Sequence, residues 1–295
     1  MQEIRASIDI GSNSVILLIA KIKDEKISEV LFEEVNVTSL GKNLDINKKF
    51  INETMDNTFK VLASYKKIIK KYNASNLIIT ATEASRVASN AKQFYDKVYK
   101  ELGFKVKIIT GVKEAELTAK GVIASLDNIK EVSIFDIGGA STELIKVNIS
   151  PFKIVDSVSL PIGSVRAKEL FDKNELDSYL NNIVTGDIIK KYATDYWLGV
   201  AGTMTTLAMC FFDINTDNIK YINKKLLTMN EYTTFLNRFN SLTKEEILIK
   251  YPFVEKRIDM IKEGSLLSMS LLGKLRCQTL TISTYGLRHG TIVMR

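Results

Sequence analysis

Two short segments combine the residue types that bind phosphate. Asp9-Ile10-Gly11-Ser12-Asn13-Ser14 and Asp136-Ile137-Gly138-Gly139-Ala140-Ser141 share Asp, Ile, Gly and the final Ser at equal spacing. Glycine permits close approach to the backbone, successive N–H groups form a concave anion site, and serine hydroxyls add donors. We call them the first loop (Asp9–Ser14) and the second loop (Asp136–Ser141). We expect both to hold phosphate; simple turn formation is the alternative.

The carboxylates that open the two loops suit a cation better than an anion. Asp9 and Asp136 would repel a phosphate directly. They make sense if a cation lies between protein and phosphate, because Mg²⁺ takes one or two carboxylates together with phosphate oxygens and water. The loops therefore predict a divalent cation beside the phosphate.

Two strand-to-helix junctions are further candidate anion sites. Gly202-Thr203 follows an apolar strand and opens a helix, whose first N–H groups carry the positive end of the helix dipole. The alternative is a plain N-cap at Thr203. Arg86 follows another strand and could bind phosphate with two parallel hydrogen bonds. A surface arginine without a role is the alternative there.

Acid–base chemistry must use carboxylates. His289 is the single histidine, which excludes a zinc cluster built on several histidines. Glu114 begins a helix after a strand and turn, near the sheet edge where α/β proteins bind ligands, and Glu143 begins the strand after the second loop. Either could activate a water molecule. A glutamate in a first helical turn is otherwise only a partner of the helix dipole.

Composition indicates an ordinary globular protein. The chain has 295 residues and a formal net charge of +7, from 41 Lys and Arg against 34 Asp and Glu. That excess suits an acidic substrate, although a merely basic protein fits equally well. Two cysteines, no signal-peptide pattern and no long apolar run predict a cytoplasmic protein without a membrane segment.

The order of predicted elements begins again halfway along the chain. Each loop lies between an apolar strand and a second strand of similar length, with alternating helices and strands behind it. Two matches at corresponding places indicate a duplicated α/β domain. We place the boundary between residues 127 and 128, in a polar segment short enough for the halves to pack with a cleft between them.

The ordered set of motifs resembles the exopolyphosphatase and guanosine pentaphosphate phosphohydrolase family, a branch of the actin-like superfamily. The motifs run from one end of the chain to the other, and together they are specific. They are DIGSNSV (9–15), ATEASRVASN (81–90), ITGVKEAEL (109–117), DIGGASTEL (136–144), SLPIGSVR (159–166), VAGTMTTLA (200–208), RIDMIKEG (257–264) and YGLRHG (285–290).

This resemblance implies a fold and a reaction. The fold would be two actin-like (ribonuclease H-like) domains, 1–127 and 128–283, with an interdomain cleft and with residues 284–295 packing back on the first domain. The reaction would be Mg²⁺- or Mn²⁺-dependent removal of the terminal phosphate from inorganic polyphosphate or guanosine pentaphosphate. No nucleic acid or membrane partner is expected, and the family allows a homodimer.

Site residues carry over by position. Glu114 matches the family's general base, and Asp136 and Glu143 match positions used in catalysis. The metal positions are Asp9, Asp136 and Glu143. The phosphate positions are Ser12, Asn13, Ser14, Arg86, Gly138, Gly139, Ser141, Gly202 and Thr203.

Two departures and two alternatives stay open. Lys113 stands where the family usually has the first of two glutamates, and Ala140 replaces a glycine of the second loop. Both slightly favour a phosphate or alarmone sensor without turnover. An ATP-dependent kinase of the same fold is the other alternative. Between the two hydrolase substrates, polyphosphate is a little ahead, because no guanine-reading element is evident.

Overall fold

The computed structural model describes residues 3–124, 126, 129–139, 141–214 and 219–294. The chain divides into two compact units: unit 1 is Met1–Ser125 with Gly286–Arg295, and unit 2 is Leu126–Tyr285. The predicted boundary residues, Asp127 and Asn128, and the departure at Ala140 lie outside the described residues.

Unit 1 is a five-stranded sheet with helices. Its strands are β1 (Glu3–Ile10), β2 (Ser14–Lys23), β3 (Lys26–Val37), β4 (Asn76–Ala81) and β5 (Val106–Ile108). Its helices are α1 (Leu44–Asn47), α2 (Asn52–Lys71), α3 (Glu83–Val87), α4 (Ala91–Leu102), α5 (Gly111–Ile123) and the late α13 (Leu287–Ile292).

The sheet of unit 1 brings three chain segments to one edge. Its order is β3-β2-β1-β4-β5, with β1, β4 and β5 parallel. These three strands end in register, since Ile10 pairs with Ala81 and Ala81 with Ile108. The first loop, the segment before Arg86 and the segment before Glu114 therefore all leave the sheet at its carboxyl edge, where α/β ligands bind.

Helical periodicity explains how α2 covers the sheet. Leu62, Tyr65 and Ile69 recur at helical spacing and are buried. The Tyr65 hydroxyl donates to the carbonyls of Val15, 3.0 Å away, and Glu34, 3.1 Å away, which ties α2 to β2 and β3. The exposed face of the helix carries its lysines.

Glycines allow α13 to approach α5 at backbone distance. A Cβ on Gly121 would lie 2.2 Å from the carbonyl oxygen of Gly286, and a Cβ on Gly290 would lie 1.8 Å from that of Leu117. Arg5 of β1 secures the same segment, because its Nη1 donates to the carbonyl of Met294 at 2.8 Å. The chain thus returns from unit 2 to complete unit 1.

Unit 2 is a six-stranded sheet with helices. Its strands are β6 (Glu131–Ile137), β7 (Thr142–Asn148), β8 (Lys153–Leu160), β9 (Trp197–Val200), β10 (Leu226–Thr228) and β11 (Thr279–Ile282). Its α-helices are α6 (Ser164–Asp172), α7 (Leu176–Ile183), α8 (Gly186–Tyr192), α9 (Ala201–Phe211), α10 (Met229–Ser241), α11 (Lys244–Lys250) and α12 (Ile258–Lys274). Two 3₁₀ turns span Ile219–Ile222 and Pro252–Arg257.

The second sheet repeats the first. Its order is β10-β11-β9-β6-β7-β8, in which an antiparallel meander (β6, β7, β8) adjoins two strands parallel to β6, as in unit 1. Asp136 pairs with Val200, and Gly199 pairs with Ile282, so these parallel strands also end together. The predicted duplicated α/β architecture is confirmed.

Three details differ from the sequence prediction or add to it. The sequence pattern predicts one helix over residues 83–103, closed by Gly103, but this helix is broken. Ala88 is extended (φ −71°, ψ 118°), and the Asn90 side chain exchanges two hydrogen bonds with the backbone of Phe50. The glycines of YGLRHG (285–290) predict a turn, but the chain is helical from Leu287. Among the described helices, none combines the length and apolar character that a bilayer crossing requires.

Candidate active site

The first loop is a tight turn fixed by a neighbouring segment. The Gly11 N–H donates to the Ser14 carbonyl at 2.9 Å, which closes the turn between β1 and β2. The N–H groups of Thr38 and Ser39 donate to the Asn13 carbonyl at 3.0 and 2.9 Å. The loop is therefore held by backbone bonds at both ends.

Side chains of the first loop keep unsatisfied polar atoms. The Nδ2 of Asn13 is buried and has no hydrogen-bond partner among the described residues, while its Oδ1 accepts from Ser39 Oγ at 3.4 Å. A buried donor without a partner costs free energy unless a ligand satisfies it. Ser12 stays on the loop, where its carbonyl accepts from Gly41 N–H at 2.7 Å.

Arg86 and Glu114 form an ion pair at the edge of the sheet. Arg86 Nη1 donates to Glu114 Oε2 at 2.8 Å and to the Ile109 carbonyl at 2.9 Å. Glu114 lies in the first turn of α5, whose N-cap Thr110 accepts from the Lys113 N–H at 3.2 Å. The geometry brings together two residues that the sequence proposed separately.

Burial makes the Glu114 carboxylate more basic. Desolvation raises its pKa above the ordinary glutamate value, and the hydrogen bond and charge of Arg86 oppose that rise. The net effect is a raised pKa of Glu114. A carboxylate with a raised pKa takes a proton from water more readily than an exposed one.

One carboxylate oxygen of Asp9 lacks a hydrogen-bond partner in the described part of the chain. Its Oδ1 is buried and has no hydrogen-bond partner among the described residues. Burial, followed by the charge of Glu114, raises the pKa of Asp9 to about 7, and the charge of Arg288 opposes the shift. An unsatisfied buried carboxylate oxygen is a suitable ligand for a divalent cation, which prefers oxygen donors.

Lys113, the first departure from the family pattern, turns away from Glu114. Its Nζ donates to Glu116 Oε2 at 3.0 Å, and Lys120 donates to the other oxygen of Glu116 at 2.7 Å. These bonds lower the pKa of Glu116, that from Lys120 most. Lys113 is thereby neutralised within α5 and leaves the Arg86–Glu114 pair intact.

The second loop repeats the hydrogen bonding of the first. The Gly138 N–H donates to the Ser141 carbonyl at 2.9 Å, as Gly11 does to Ser14. The N–H groups of Ser164 and Val165 donate to the carbonyls of Gly138 and Gly139, both at 3.0 Å. The start of α6 therefore supports this loop, where the segment after β3 supports the first.

Two carboxylates share one face of the unit 2 sheet. Asp136 and Glu143 are directly opposite on β6 and β7, so their side chains project to the same side. Glu143 Oε1 accepts from Ser141 Oγ at 2.6 Å and from Ser159 Oγ at 2.8 Å. The predicted phosphate contact at Ser141 thus competes with a hydrogen bond that orients Glu143.

Gly202 and Thr203 lie in the first turn of α9, beside a positive charge that the sequence did not reveal. The helix α9 begins after Val200 without a side-chain cap, so the alternative of Thr203 as N-cap is wrong. The Arg257 guanidinium lies against Gly202, where an added Cβ would be 2.2 Å from Nη2.

This guanidinium is a strong anion-binding group. The Arg257 side chain makes no hydrogen bond or ion pair within the described part of the chain. Desolvation lowers its pKa, but an arginine remains charged at neutral pH. A desolvated cation next to an uncapped helix start favours an anion.

Metal-ligating side chains are sparse. In the described part of the chain, no three His, Cys, Asp or Glu side chains form a group that could hold a metal ion. Taken separately, Asp9 in unit 1 offers one carboxylate and the Asp136–Glu143 pair in unit 2 offers two, and Mg²⁺ sites commonly use one or two protein carboxylates with water and phosphate in the remaining positions. His289 lies in the core at 3% exposure.

Sequence reasoning missed Arg257 and the segment Thr38–Gly41. Arg257 occurs in a recognised motif, RIDMIKEG, but its role depends on contact with Gly202 in a distant motif. The apolar pattern of residues 26–40 predicts only a further part of the strand meander, and Gly41 was the available signal for a supporting turn. A Cβ on Gly41 would lie 3.1 Å from Ser12 Cβ, so glycine permits this close support.

Comparison with solved structures defines the class of fold. A family member from Aquifex aeolicus, described as a structural characterisation of the Ppx/GppA protein family, superposes with a TM-score of 0.83. It is 31% identical, and the match covers 99% of this chain and 97% of that one. The two units therefore form an α/β protein of the actin-like fold, as predicted.

The family itself follows from the sequence comparisons. The model of the Ppx/GppA phosphatase family matches residues 18–295, and the chain belongs to that family. It is 35% identical to a bifunctional 3-dehydroquinate synthase/phosphatase of Fusobacterium nucleatum over 91% of this chain, which spans only 43% of that relative. It is 25% identical to exopolyphosphatase 2 of Mycobacterium tuberculosis, over 97% of this chain and 96% of the relative.

Proposed function

We propose that this chain hydrolyses the terminal phosphoanhydride bond of inorganic polyphosphate, guanosine pentaphosphate or both. The observation that carries the proposal is the Arg86–Glu114 ion pair, in which a half-buried carboxylate lies beside a cation of the type that binds phosphate. Family membership and the near-full-length match to an exopolyphosphatase support the substrate class.

Glu114 is the proposed general base. Its Oε2 is held by Arg86, which leaves Oε1 to accept a proton from water. The water oxygen forms a bond to the terminal phosphorus, the bridging P–O bond breaks, and its electron pair leaves with the shortened chain. The transferred group departs as inorganic phosphate. Positioning and electrostatic stabilisation supply most of the rate in such reactions.

The phosphates are assigned to backbone donors and two arginines. The N–H groups of the first and second loops offer concave anion sites, with Ser12, Asn13, Ser14, Gly138, Gly139 and Ser141 as the contributing residues. Arg86 would balance charge on the transferred group. Arg257, with Gly202 and Thr203, would hold phosphates at the start of α9.

A divalent cation, Mg²⁺ or Mn²⁺, fits the carboxylates present. The unsatisfied buried oxygen of Asp9 is the observation in favour, and Asp136 with Glu143 would provide the ligands from unit 2. When bound, the cation would neutralise phosphate charge and so reduce repulsion of the attacking water. That both units act on one substrate, across a cleft, stays a prediction, as do the cytoplasmic location and the homodimer.

The direct test is phosphate release by wild type, Glu114→Gln and Glu116→Gln. We expect metal-dependent release that Glu114→Gln lowers by about 10²–10⁴-fold, because the variant lacks the base. Glu116→Gln is the matched control, since it changes the same group two residues away on α5. Equal rates for the two variants would contradict the assignment of Glu114.

The same assay separates the substrates and the alternatives. Polyphosphate and guanosine pentaphosphate, compared side by side, rank the two hydrolase substrates. Bound ligand without release would favour the sensor, and transfer from ATP to an acceptor would favour the kinase. For polyphosphate, binding should weaken as salt rises, because lysines and arginines displace counterions from the polyanion.

A further inference from the structure

A shielded ion pair crosses the face of unit 1 that carries Asp9. Arg288 of α13 donates through Nε to Glu33 Oε1 of β3. The two side chains are only 11% and 17% exposed. Such a pair is poorly screened by solvent, so its charges act strongly on near neighbours.

Strand register places this pair beside Asp9. Ser7 of β1 pairs with Leu18 of β2, and Leu18 pairs with Glu33, so these three lie in a row across the sheet. Ser7 Oγ donates to the Arg288 carbonyl at 2.9 Å, which shows that Arg288 covers this row. Asp9 is two residues from Ser7 and therefore projects from the same face.

We propose that Arg288 is a positioning residue that weakens cation binding at Asp9, and that Glu33 limits this effect by holding the guanidinium. The inference rests on the proposed function, in which Asp9 is a metal ligand. Independent support comes from geometry, since the hydrogen bond from Ser7 Oγ to the Arg288 carbonyl places α13 over the face of β1 from which Asp9 projects.

Arg288 and a divalent cation compete for the Asp9 carboxylate, so the charge of Arg288 weakens cation binding. Arginine stays charged at every relevant pH, so its guanidinium always repels a nearby divalent cation. Glu33 neutralises that charge and fixes its place. Without Glu33, the guanidinium loses this carboxylate partner and competes with the metal for Asp9. Partners outside the ligand shell commonly change metal affinity by about 10–100-fold.

The test is Mn²⁺ binding by equilibrium dialysis, without substrate and without any measurement of activity. We expect Glu33→Gln to raise the Kd about tenfold and Arg288→Gln to lower it by a similar factor. Glu34→Gln is the matched control, because Glu34 is the next residue of β3 and points to the opposite face. We expect it to change the Kd less than about twofold.

The double variant separates a specific coupling from general charge. In the Arg288→Gln background, we expect Glu33→Gln to have no more effect than Glu34→Gln, because the guanidinium that Glu33 restrains is gone. An unchanged tenfold effect in that background would overturn the proposal. So would weaker Mn²⁺ binding by Arg288→Gln. Arg288→Lys keeps the charge and serves if the glutamine variant does not fold; we expect its Kd for Mn²⁺ to stay within about threefold of the wild-type value, and a roughly tenfold lower Kd would overturn the role of the charge.

Asp9→Asn distinguishes failure of this inference from failure of the proposed function. Unchanged Mn²⁺ binding by Asp9→Asn would remove Asp9 from the metal site, and it would overturn both this inference and the metal assignment within the proposed function, while phosphate release tests the hydrolase itself. Lost binding by Asp9→Asn, together with Glu33→Gln and Arg288→Gln variants that match Glu34→Gln, would overturn only the role of Arg288.

Discussion

One methyl group at Gly202 should disable the proposed phosphate contact of Arg257. A Cβ built on Gly202 would lie 2.2 Å from Nη2, 2.4 Å from Cζ and 2.5 Å from Nη1 of Arg257. The favourable separation of non-bonded heavy atoms is about 3.5 Å, so the guanidinium must retreat by roughly 1.3 Å. Gly202→Ala therefore displaces the Arg257 guanidinium without removing its charge from the protein.

The expected loss is mainly functional. A shift of that size takes a charge-assisted hydrogen bond from about 2.8 Å to beyond the bonding range. Misplacement by about 1 Å can cost a reaction about 10²-fold, so we expect kcat/KM for phosphate release to fall by about 10–100-fold. Stability should change by less than about 1 kcal/mol, because the displaced group is the end of a flexible side chain and alanine favours the helix.

The assay is phosphate release with wild type, Gly202→Ala, Arg257→Ala and the double variant. Gly273→Ala is the control, since its Cβ would meet nothing within 4 Å. The two substitutions at the contact should be non-additive, because each removes the same interaction. The reasoning is refuted if Gly202→Ala retains kcat/KM within twofold of wild type, or if the losses simply multiply.

Three further variants test the scaffold by urea unfolding. Gly290→Ala should lower the free energy of unfolding by about 3 kcal/mol or more, since its Cβ would meet the Leu117 carbonyl at 1.8 Å; a loss below 1 kcal/mol would contradict the backbone contact. Ala201→Gly should raise it by about 1 kcal/mol, because Ala201 has a φ of 62°; no gain would mean that this conformation is unstrained. Burial holds the pKa of His289 well below 6.5, so the unfolded chain binds the proton first as the pH falls, and stability present above pH 6.5 is lost below it. His289→Gln should remove that dependence, at most about 1.4 kcal/mol per pH unit, and an unchanged slope would show that His289 does not cause it.

Local signals explain why much of the fold could be predicted. Each loop has its strand, turn and following strand within one short segment, so the duplication is visible in the sequence. Glu114 could be placed at the sheet edge because a strand, an N-cap threonine and a helix occur in direct succession. These features depend on neighbours along the chain.

The features that were missed depend on distant partners. The break at Ala88 accompanies hydrogen bonds between Asn90 and Phe50, which are 40 residues apart. The last segment contains glycines that disfavour a helix, yet α13 forms because those glycines fit against the backbone of α5. Arg257 becomes a candidate phosphate ligand only because it lies beside Gly202, and no local sequence pattern indicates that contact.

The return of the chain to unit 1 sets an order for biosynthesis. Residues 286–294 leave the ribosome after all of unit 2, although Ile292 completes an apolar cluster with Leu18, Ala20 and Ile22 of β2. Domains usually mature from the N-terminus as they are made. Here all strands of unit 2 are synthesised before unit 1 receives its last helix, α13. Until then, the apolar side chains of β2 that contact Ile292 stay uncovered. An interrupted nascent chain would therefore keep those side chains exposed, which marks it for chaperones or proteases.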